Sequence, residues 1–213
     1  MSVNDIVHAN NKTIHVNLFN DPSGHTYFNY VSQREELYKI HPHLMTDKYY
    51  VHSYIPVYDK LFKNVKNDKL NILEIGISHG GSINLWNQFF TNSIIHGIDI
   101  EKPPTWLLNH DEIKVAQTDA YSKNALTLFD NVTYDIIIDD GPHTLESMII
   151  AVELYLNKVN KGGMMIIEDI KSMTWIQPIL NKIPNNIIYT KEIYDLRPIK
   201  KRFDDIMLVL YVK

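Results

Sequence analysis

Two short stretches of this sequence run from apolar residues straight into paired acids. DIIIDDGPH, residues 135–143, carries three isoleucines into Asp139 and Asp140, and His143 follows Gly141 and Pro142; MMIIEDI, residues 164–170, ends on Glu168 and Asp169. Short apolar runs bounded by turn residues read as buried strands, so both sets of acids stand at strand ends. Neighbouring strands lie about 5 Å apart, and Asp140, Glu168 and Asp169 then converge. Like charges this close repel, and one carboxyl is pushed toward protonation unless a cation intervenes. A hard divalent ion answers this need: Mg2+ takes carboxylate and water oxygens at about 2.1 Å and keeps positions open for substrate oxygens. Vicinal hydroxyls of a sugar suit such positions. The competing reading has Asp139 or Asp140 capping the next helix and Glu168 and Asp169 solvated.

Other strand ends carry polar groups in an ordered series. LEIGISHGGS, residues 73–82, places Glu74, Gly76, Gly80, Gly81 and Ser82 between a strand and a helix. Glycines there let the backbone approach a ligand and aim helix-start N–H groups at an anionic group. The spacing Gly76-x-x-x-Gly80-Gly81 departs from the G-x-G-x-x-G of dinucleotide sites, which disfavours a nicotinamide cofactor. Asp99 of HGIDI lies about 20 residues beyond the glycines, where an acid can accept both hydroxyls of a ribose. Asp119 of QTDAY ends the following strand and suits an adenine amino group.

The elements that must position these groups follow a regular rhythm from about residue 50. HSYIPVYDKLFKNV reads as a helix with Tyr54, Tyr58 and Phe62 at helical spacing, either core or a lid over a cofactor. KLNILEIGI, SIIHGIDI, KVAQTDA, YDIIIDD and MMIIEDI read as strands, separated by helices over GGSINLWNQFF and over LESMIIAVELYLNKV, the latter closed by Lys161, Gly162 and Gly163. A helix over MTWIQPILNKI ends near Pro184, and NNIIYTKEIYDL and DDIMLVLYVK read as two final strands. Parallel neighbours need crossover helices, so the expected fold is α/β, a doubly wound, mostly parallel sheet with a C-terminal antiparallel strand. Pro142 suits the first position of the helix after DIIIDDG, which puts His143 at a helix start, where the dipole favours a neutral ring. Residues 1–47 break the rhythm: TYFNYVSQREELY reads as a helix and HANNKTIHVNLFNDPSG as strand and turn. We expect an N-terminal extension, a lid, brace or oligomer contact, before one domain over residues 48–213.

Composition narrows the function. The 213 residues, 45% hydrophobic, suit one full core. Lys+Arg 21 against Asp+Glu 25 gives a net charge of −4, so there is no global basic field for nucleic acid. With no cysteine and ten histidines, disulfides and thiolate metal sites are excluded, and any metal is expected to be oxygen-bound. No apolar run is long enough for a signal peptide or membrane span, so the expectation is a soluble cytoplasmic protein that binds no membrane. The basic run Arg197, Lys200, Lys201 and Arg202 reads either as an anion grip or as a solvated hairpin turn.

In their order, EIGISHGGS, GIDI, TDAY and DDGPH resemble a class I S-adenosylmethionine-dependent methyltransferase. More narrowly, TDKYYVHSYIPVYDKLF, the Gly80–Trp86 stretch GGSINLW, DIIIDDGPH and IIEDI are similar to the metal-dependent sugar O-methyltransferases that act on macrolides such as macrocin and mycinamicin. The likeness covers about residues 46–175; the family usually has serine where Pro142 stands. It implies a Rossmann-like methyltransferase fold, Mg2+ or another hard divalent cation on Asp140, Glu168 and Asp169, and His143 as general base, with Asp140 and His143 the catalytic pair. It places S-adenosylmethionine against Glu74, Gly76, Ser82 and Asp139 at the methionine end and against Asp99, Ile100 and Asp119 at the ribose and adenine. Lys48 and His52 fall in the similar stretch and are placed near the cleft. The implied acceptor is a hydroxyl of a sugar or glycosylated small molecule; a nucleotide sugar and a homo-oligomer stay open. The other classes weighed are a catechol-type O-methyltransferase, an NAD(P) oxidoreductase and a silent binding subunit.

Overall fold

The computed structural model describes residues 1–10, 46–129 and 132–213. In chain order the elements are α1 (residues 3–10), α2 (Asp47–Tyr50), α3 (Ile55–Phe62), β1 (Asn71–Ile75), α4 (Gly81–Phe89), β2 (Ile94–Asp99), β3 (Ile113–Gln117), β4 (Tyr134–Asp139), α5 (Leu145–Tyr155), β5 (Val159–Ile167), α6 (Ile176–Leu180), β6 (Tyr189–Asp195), α7 (Arg197–Lys200) and β7 (Ile206–Val212). The strands form one sheet in the order β3-β2-β1-β4-β5-β7-β6. Strands β1 to β5 run parallel, β7 is antiparallel to β5, and β6 is antiparallel to β7. The doubly wound, mostly parallel sheet expected from the sequence is therefore present.

The apolar runs work because both faces of the sheet are covered. Alternate residues point to opposite faces, so Ile72, Ile136, Ile138 and Ile166 pack with Tyr54, Tyr58, Phe62 and Trp86 on one side. Leu73, Ile75, Ile137, Met165 and Ile167 pack with Met148, Val152, Tyr155 and Ile179 on the other. Strand order reverses between β1 and β4, the place where open α/β sheets bind ligands at the carboxyl ends of their strands. Register is held up to that edge: Ile75 is opposite Asp139, and Asp139 opposite Ile167. One residue further, Asp140 N–H donates to Ile75 O at 2.9 Å and Glu168 N–H to Asp139 O at 3.1 Å.

Three local expectations change. Helix α5 stops at Tyr155, and β5 starts at Val159, so Lys161, Gly162 and Gly163 lie within the strand. The register jumps from Tyr134–Val159 to Ile136–Met164, so the extra residues bulge out of β5. At its other end α5 begins at Leu145, with Thr144 as N-cap in a reciprocal pairing with Ser147. Pro142 is therefore not the first helical residue, and His143 precedes the cap with φ of 53°. Finally, residues 8–10 continue helix α1 where strand was expected, while the remainder of that stretch and TYFNYVSQREELY lie outside the described residues. Helix α1 packs on the domain: Val3, Ile6 and Val7 are buried, and the Asp59 carboxylate accepts from Val3 N–H at 2.6 Å. Among the described residues, no helix is long and apolar enough to cross a membrane.

Candidate active site

At the carboxyl edge of β1, β2 and β4 lies a cavity of about 580 Å3. Its floor is the turn after β1, where Gly76 takes φ of 89°, a region open to glycine at little cost. A side chain could not fit there, because a Cβ on Gly76 would fall 2.0 Å from Asp140 O. The Asp99 carboxylate holds the turn, accepting from Ile77 N–H at 2.7 Å and Ser78 N–H at 2.8 Å through Oδ2, and from Glu101 N–H at 2.8 Å through Oδ1. Gly76, Ser82, Asp99, Ile100 and Asp119, all named from the sequence, line this cavity together with Tyr121, Asp140 and His143.

Glu74 and Asp139 stand behind the lining. Glu74 is fully buried and accepts from Ser82 Oγ at 2.9 Å. Asp139 accepts from Tyr121 OH at 2.6 Å, and so fixes the ring that borders the cavity. Burial pushes both carboxyls up to about 7, in Asp139 against the Tyr121 hydrogen bond and in Glu74 against the charge of Lys48.

Beside the cavity the strand-end acids meet. One ligand atom each from Asp140, His143 and Asp169 lie within 4.8 Å of one another. His143 Nε2 is 3.9 Å from Asp140 Oδ1 and 3.5 Å from Asp169 Oδ2. Asp169 and His143 both take positive φ, 54° and 53°, a conformation non-glycine residues hold only when their surroundings enforce it. Burial, then the charge of Asp140, pushes Asp169 up to about 8; burial also raises Asp140, against the pull of Lys48. Burial lowers His143 below its ordinary value, and this keeps the ring neutral where the sequence had suggested a helix dipole. Nε2 is the nitrogen that faces the acids, and Nδ1 is buried without a hydrogen-bond partner among the described residues.

These acids are held from behind by one segment, residues 48–58. Lys48 is fully buried, and its Nζ lies 2.6 Å from Asp140 Oδ2, 2.5 Å from Glu168 Oε2 and 3.2 Å from Glu74 Oε1. Burial acts to lower Lys48, but the three carboxylates outweigh it and hold the ammonium well above its ordinary range. Tyr58 OH donates to Glu168 Oε1, and Tyr54 OH donates to Asp169 Oδ1 at 2.6 Å. His52 Nδ1 lies 3.2 Å from Asp169 Oδ1 and 3.3 Å from the buried Asp205 Oδ1. Tyr54, Tyr58 and Phe62 are thus core residues, and the two tyrosines also orient acids through their hydroxyls.

Glu168 is not among the three residues whose ligand atoms face one another. Both of its oxygens are taken, one by Tyr58 and one by Lys48. A divalent ion fits the outward edge all the same: one oxygen each of Asp140 and Asp169 faces the same space beside a cavity, His143 Nε2 lies next to them, available to a substrate hydroxyl, and burial has raised both acids, which a hard cation would compensate. The basic run is the exposed connection between antiparallel β6 and β7, as the solvated-turn reading expected, and both of its arginines are paired beside it. Arg197 pairs with Asp195 at 2.6 Å, Arg202 pairs with Asp204 at 2.8 Å, and Lys200 Nζ donates to the carbonyls of Tyr49 and His52. It therefore braces the segment that carries Lys48. The sequence reading missed Asp205 and missed that Lys48, Tyr54 and Tyr58 bind the strand-end acids.

Sheet order and site location together define the class I methyltransferase fold. Comparison with known proteins agrees. The chain is 29% identical over 157 residues to a demethylmacrocin O-methyltransferase of Streptomyces fradiae, covering 68% of this chain and 38% of that protein. It is 27% identical, with the same coverage, to a mycinamicin VI 2''-O-methyltransferase of Micromonospora griseorubida. Among solved structures, MycE methyltransferase from the mycinamycin pathway, in complex with Mg, SAH and mycinamycin VI, superposes with a TM-score of 0.64 at 22% identity, over 83% of this chain and 53% of that one. The chain thus spans well under half the length of these curated relatives, and no protein-family model matches it.

Proposed function

We propose that this chain is a metal-dependent O-methyltransferase that carries a methyl group from S-adenosylmethionine to a hydroxyl of a sugar or glycosylated small molecule. The observation that carries this reading is the junction of two features: a cavity of about 580 Å3 over the Gly76 turn, and the Asp140–His143–Asp169 group on its border. The names of the relatives favour the same chemistry and a glycosylated acceptor.

Gly76, Ser82, Asp99, Ile100, Asp119 and Tyr121 would hold the cofactor, with Glu74 and Asp139 fixing Ser82 and Tyr121 from behind. Asp140 Oδ1 and Asp169 Oδ2 would hold the ion, and a hard divalent ion supplies Lewis acidity that orients a hydroxyl and lowers its pKa. S-adenosylmethionine supplies an electrophilic methyl group. His143 Nε2, kept neutral by burial, takes the hydroxyl proton as general base, a role that contributes about 10²–10⁴ in rate. Tyr54 and His52 hold Asp169 Oδ1, which leaves Oδ2 on the His143 side.

The test is release of S-adenosylhomocysteine when the protein, S-adenosylmethionine and Mg2+ meet acceptors bearing free sugar hydroxyls. Acceptor-dependent release that EDTA abolishes is expected. Turnover undiminished in EDTA, or equal on phenolic acceptors without a sugar, would overturn the reading.

A further inference from the structure

We propose that Lys48 is a built-in cation that fills the inner half of a two-part acid cluster, the place a second divalent ion would otherwise take, and so fixes the centre at one exchangeable ion. This inference rests on the proposed metal site. Its ground is how the carboxylate oxygens are shared out. Three oxygens surround the ammonium: Asp140 Oδ2 at 2.6 Å, Glu168 Oε2 at 2.5 Å and Glu74 Oε1 at 3.2 Å. Their partners are engaged elsewhere, Glu74 Oε2 by Ser82 Oγ at 2.9 Å and Glu168 Oε1 by Tyr58 OH. Only Asp140 spans both halves, with Oδ2 on the lysine and Oδ1 facing His143 Nε2 at 3.9 Å. Asp169 is turned the same way, with Oδ1 on Tyr54 OH and Oδ2 facing His143 Nε2 at 3.5 Å.

An ammonium is a compact charge with three donors and no acceptor. Surrounded by three carboxylates and fully buried, it does what a hard cation does in such a shell, with the difference that it cannot leave. Removing one partner of a buried ion pair leaves uncompensated charge. Here it would leave Glu74, Asp140 and Glu168 without the cation that separates them, and a divalent ion is the ready replacement. Lys48 thereby acts as a positioning residue through Asp140, and Glu168 serves the site through Lys48.

The experiment is titration of the metal-free full chain with Mn2+, followed by electron paramagnetic resonance and calorimetry, for wild type, Lys48→Met, Glu168→Gln and the double variant. Methionine keeps the apolar stem and deletes the ammonium. Expected are one Mn2+ per chain for wild type and Glu168→Gln, two for Lys48→Met, and a return to one for the double variant, in which an acid is neutralised along with the lysine. Should Lys48→Met fold only when Mn2+ is present, the proposal is likewise supported. One ion or none in a folded Lys48→Met overturns it, as does loss of the ion in Glu168→Gln. If Lys48→Met stays unfolded with and without Mn2+, the double variant decides: folding with one ion supports charge compensation, and failure to fold makes Lys48 a packing residue and overturns the idea. A wild type that binds no Mn2+ instead refutes the metal site itself.

Discussion

Gly76 and Gly162 allow the site to be tested apart from the fold. Both take positive φ, 89° and 83°, so alanine at either place imposes a similar backbone strain of about 1–3 kcal/mol. They differ in what a new Cβ meets. At Gly162 nothing lies within 4 Å; at Gly76 the Asp140 carbonyl oxygen lies at 2.0 Å, and ordinary contact begins at 3.4 Å, so the β1 and β4 ends must part by 3.4 − 2.0 = 1.4 Å. Asp140 carries the oxygen that faces His143, and a displacement of about 1 Å at a reacting centre can lower a rate about 100-fold. Gly162→Ala should therefore lose stability alone, with a melting temperature lower by about 2–4 °C per kcal/mol for a chain of this size. Gly76→Ala should lose at least as much stability and, in addition, about 100-fold in turnover, with weaker S-adenosylhomocysteine binding. Thermal melts, calorimetry and product release measure the three quantities. Equal turnover and cofactor affinity in the two variants would refute the placement of the Gly76 turn under the cofactor.

Other outcomes follow from the same geometry. His143→Gln should retain cofactor binding and lose about 10²–10⁴ in kcat; because burial lowers the histidine, the acid limb of the wild-type rate profile should fall below the ordinary histidine pKa of 6.5 and be absent from the variant. Tyr54→Phe removes the donor on Asp169 Oδ1 and should weaken Mn2+ binding about 10–100-fold, read by titration. Asp169 is pushed up to about 8 from 3.8, so the metal-free fold holds a proton that the unfolded chain releases. Its stability should therefore fall as pH rises between about 4 and 8, by about 1.4 kcal/mol per unit from this group. Saturating Mg2+, which binds the ionised carboxylate, should flatten that slope in denaturant titrations; parallel slopes with and without the ion would contradict it.

What the sequence made legible was whatever depends on period and order. Ile136–Ile138 and Met164–Ile167 are buried on both faces, so their apolar runs announced strands, and the acids at their ends had to share an edge. Gly76, Asp99 and Asp119 followed because each closes a successive strand. Lys48 could be placed near the cleft only through the resemblance; that its ammonium is buried among three acids was not legible, because only the need of buried acids for a cation points inward to it. Tyr54 and Tyr58 read as core at four-residue spacing, which they are, but periodicity carries no sign of what their hydroxyls bind. The start of α5 was misplaced because Pro142 competes with Thr144, and the reciprocal Thr144–Ser147 cap prevails. The glycines of β5 looked like a helix end because a strand bulge and a helix stop use the same residues.

Calorimetric titration of the full chain with S-adenosylmethionine tests the central claim most directly. One site per chain is predicted, displaced by S-adenosylhomocysteine and weakened in Gly76→Ala. Absence of any binding heat for a folded chain, across temperatures and with Mg2+ present, would contradict the account.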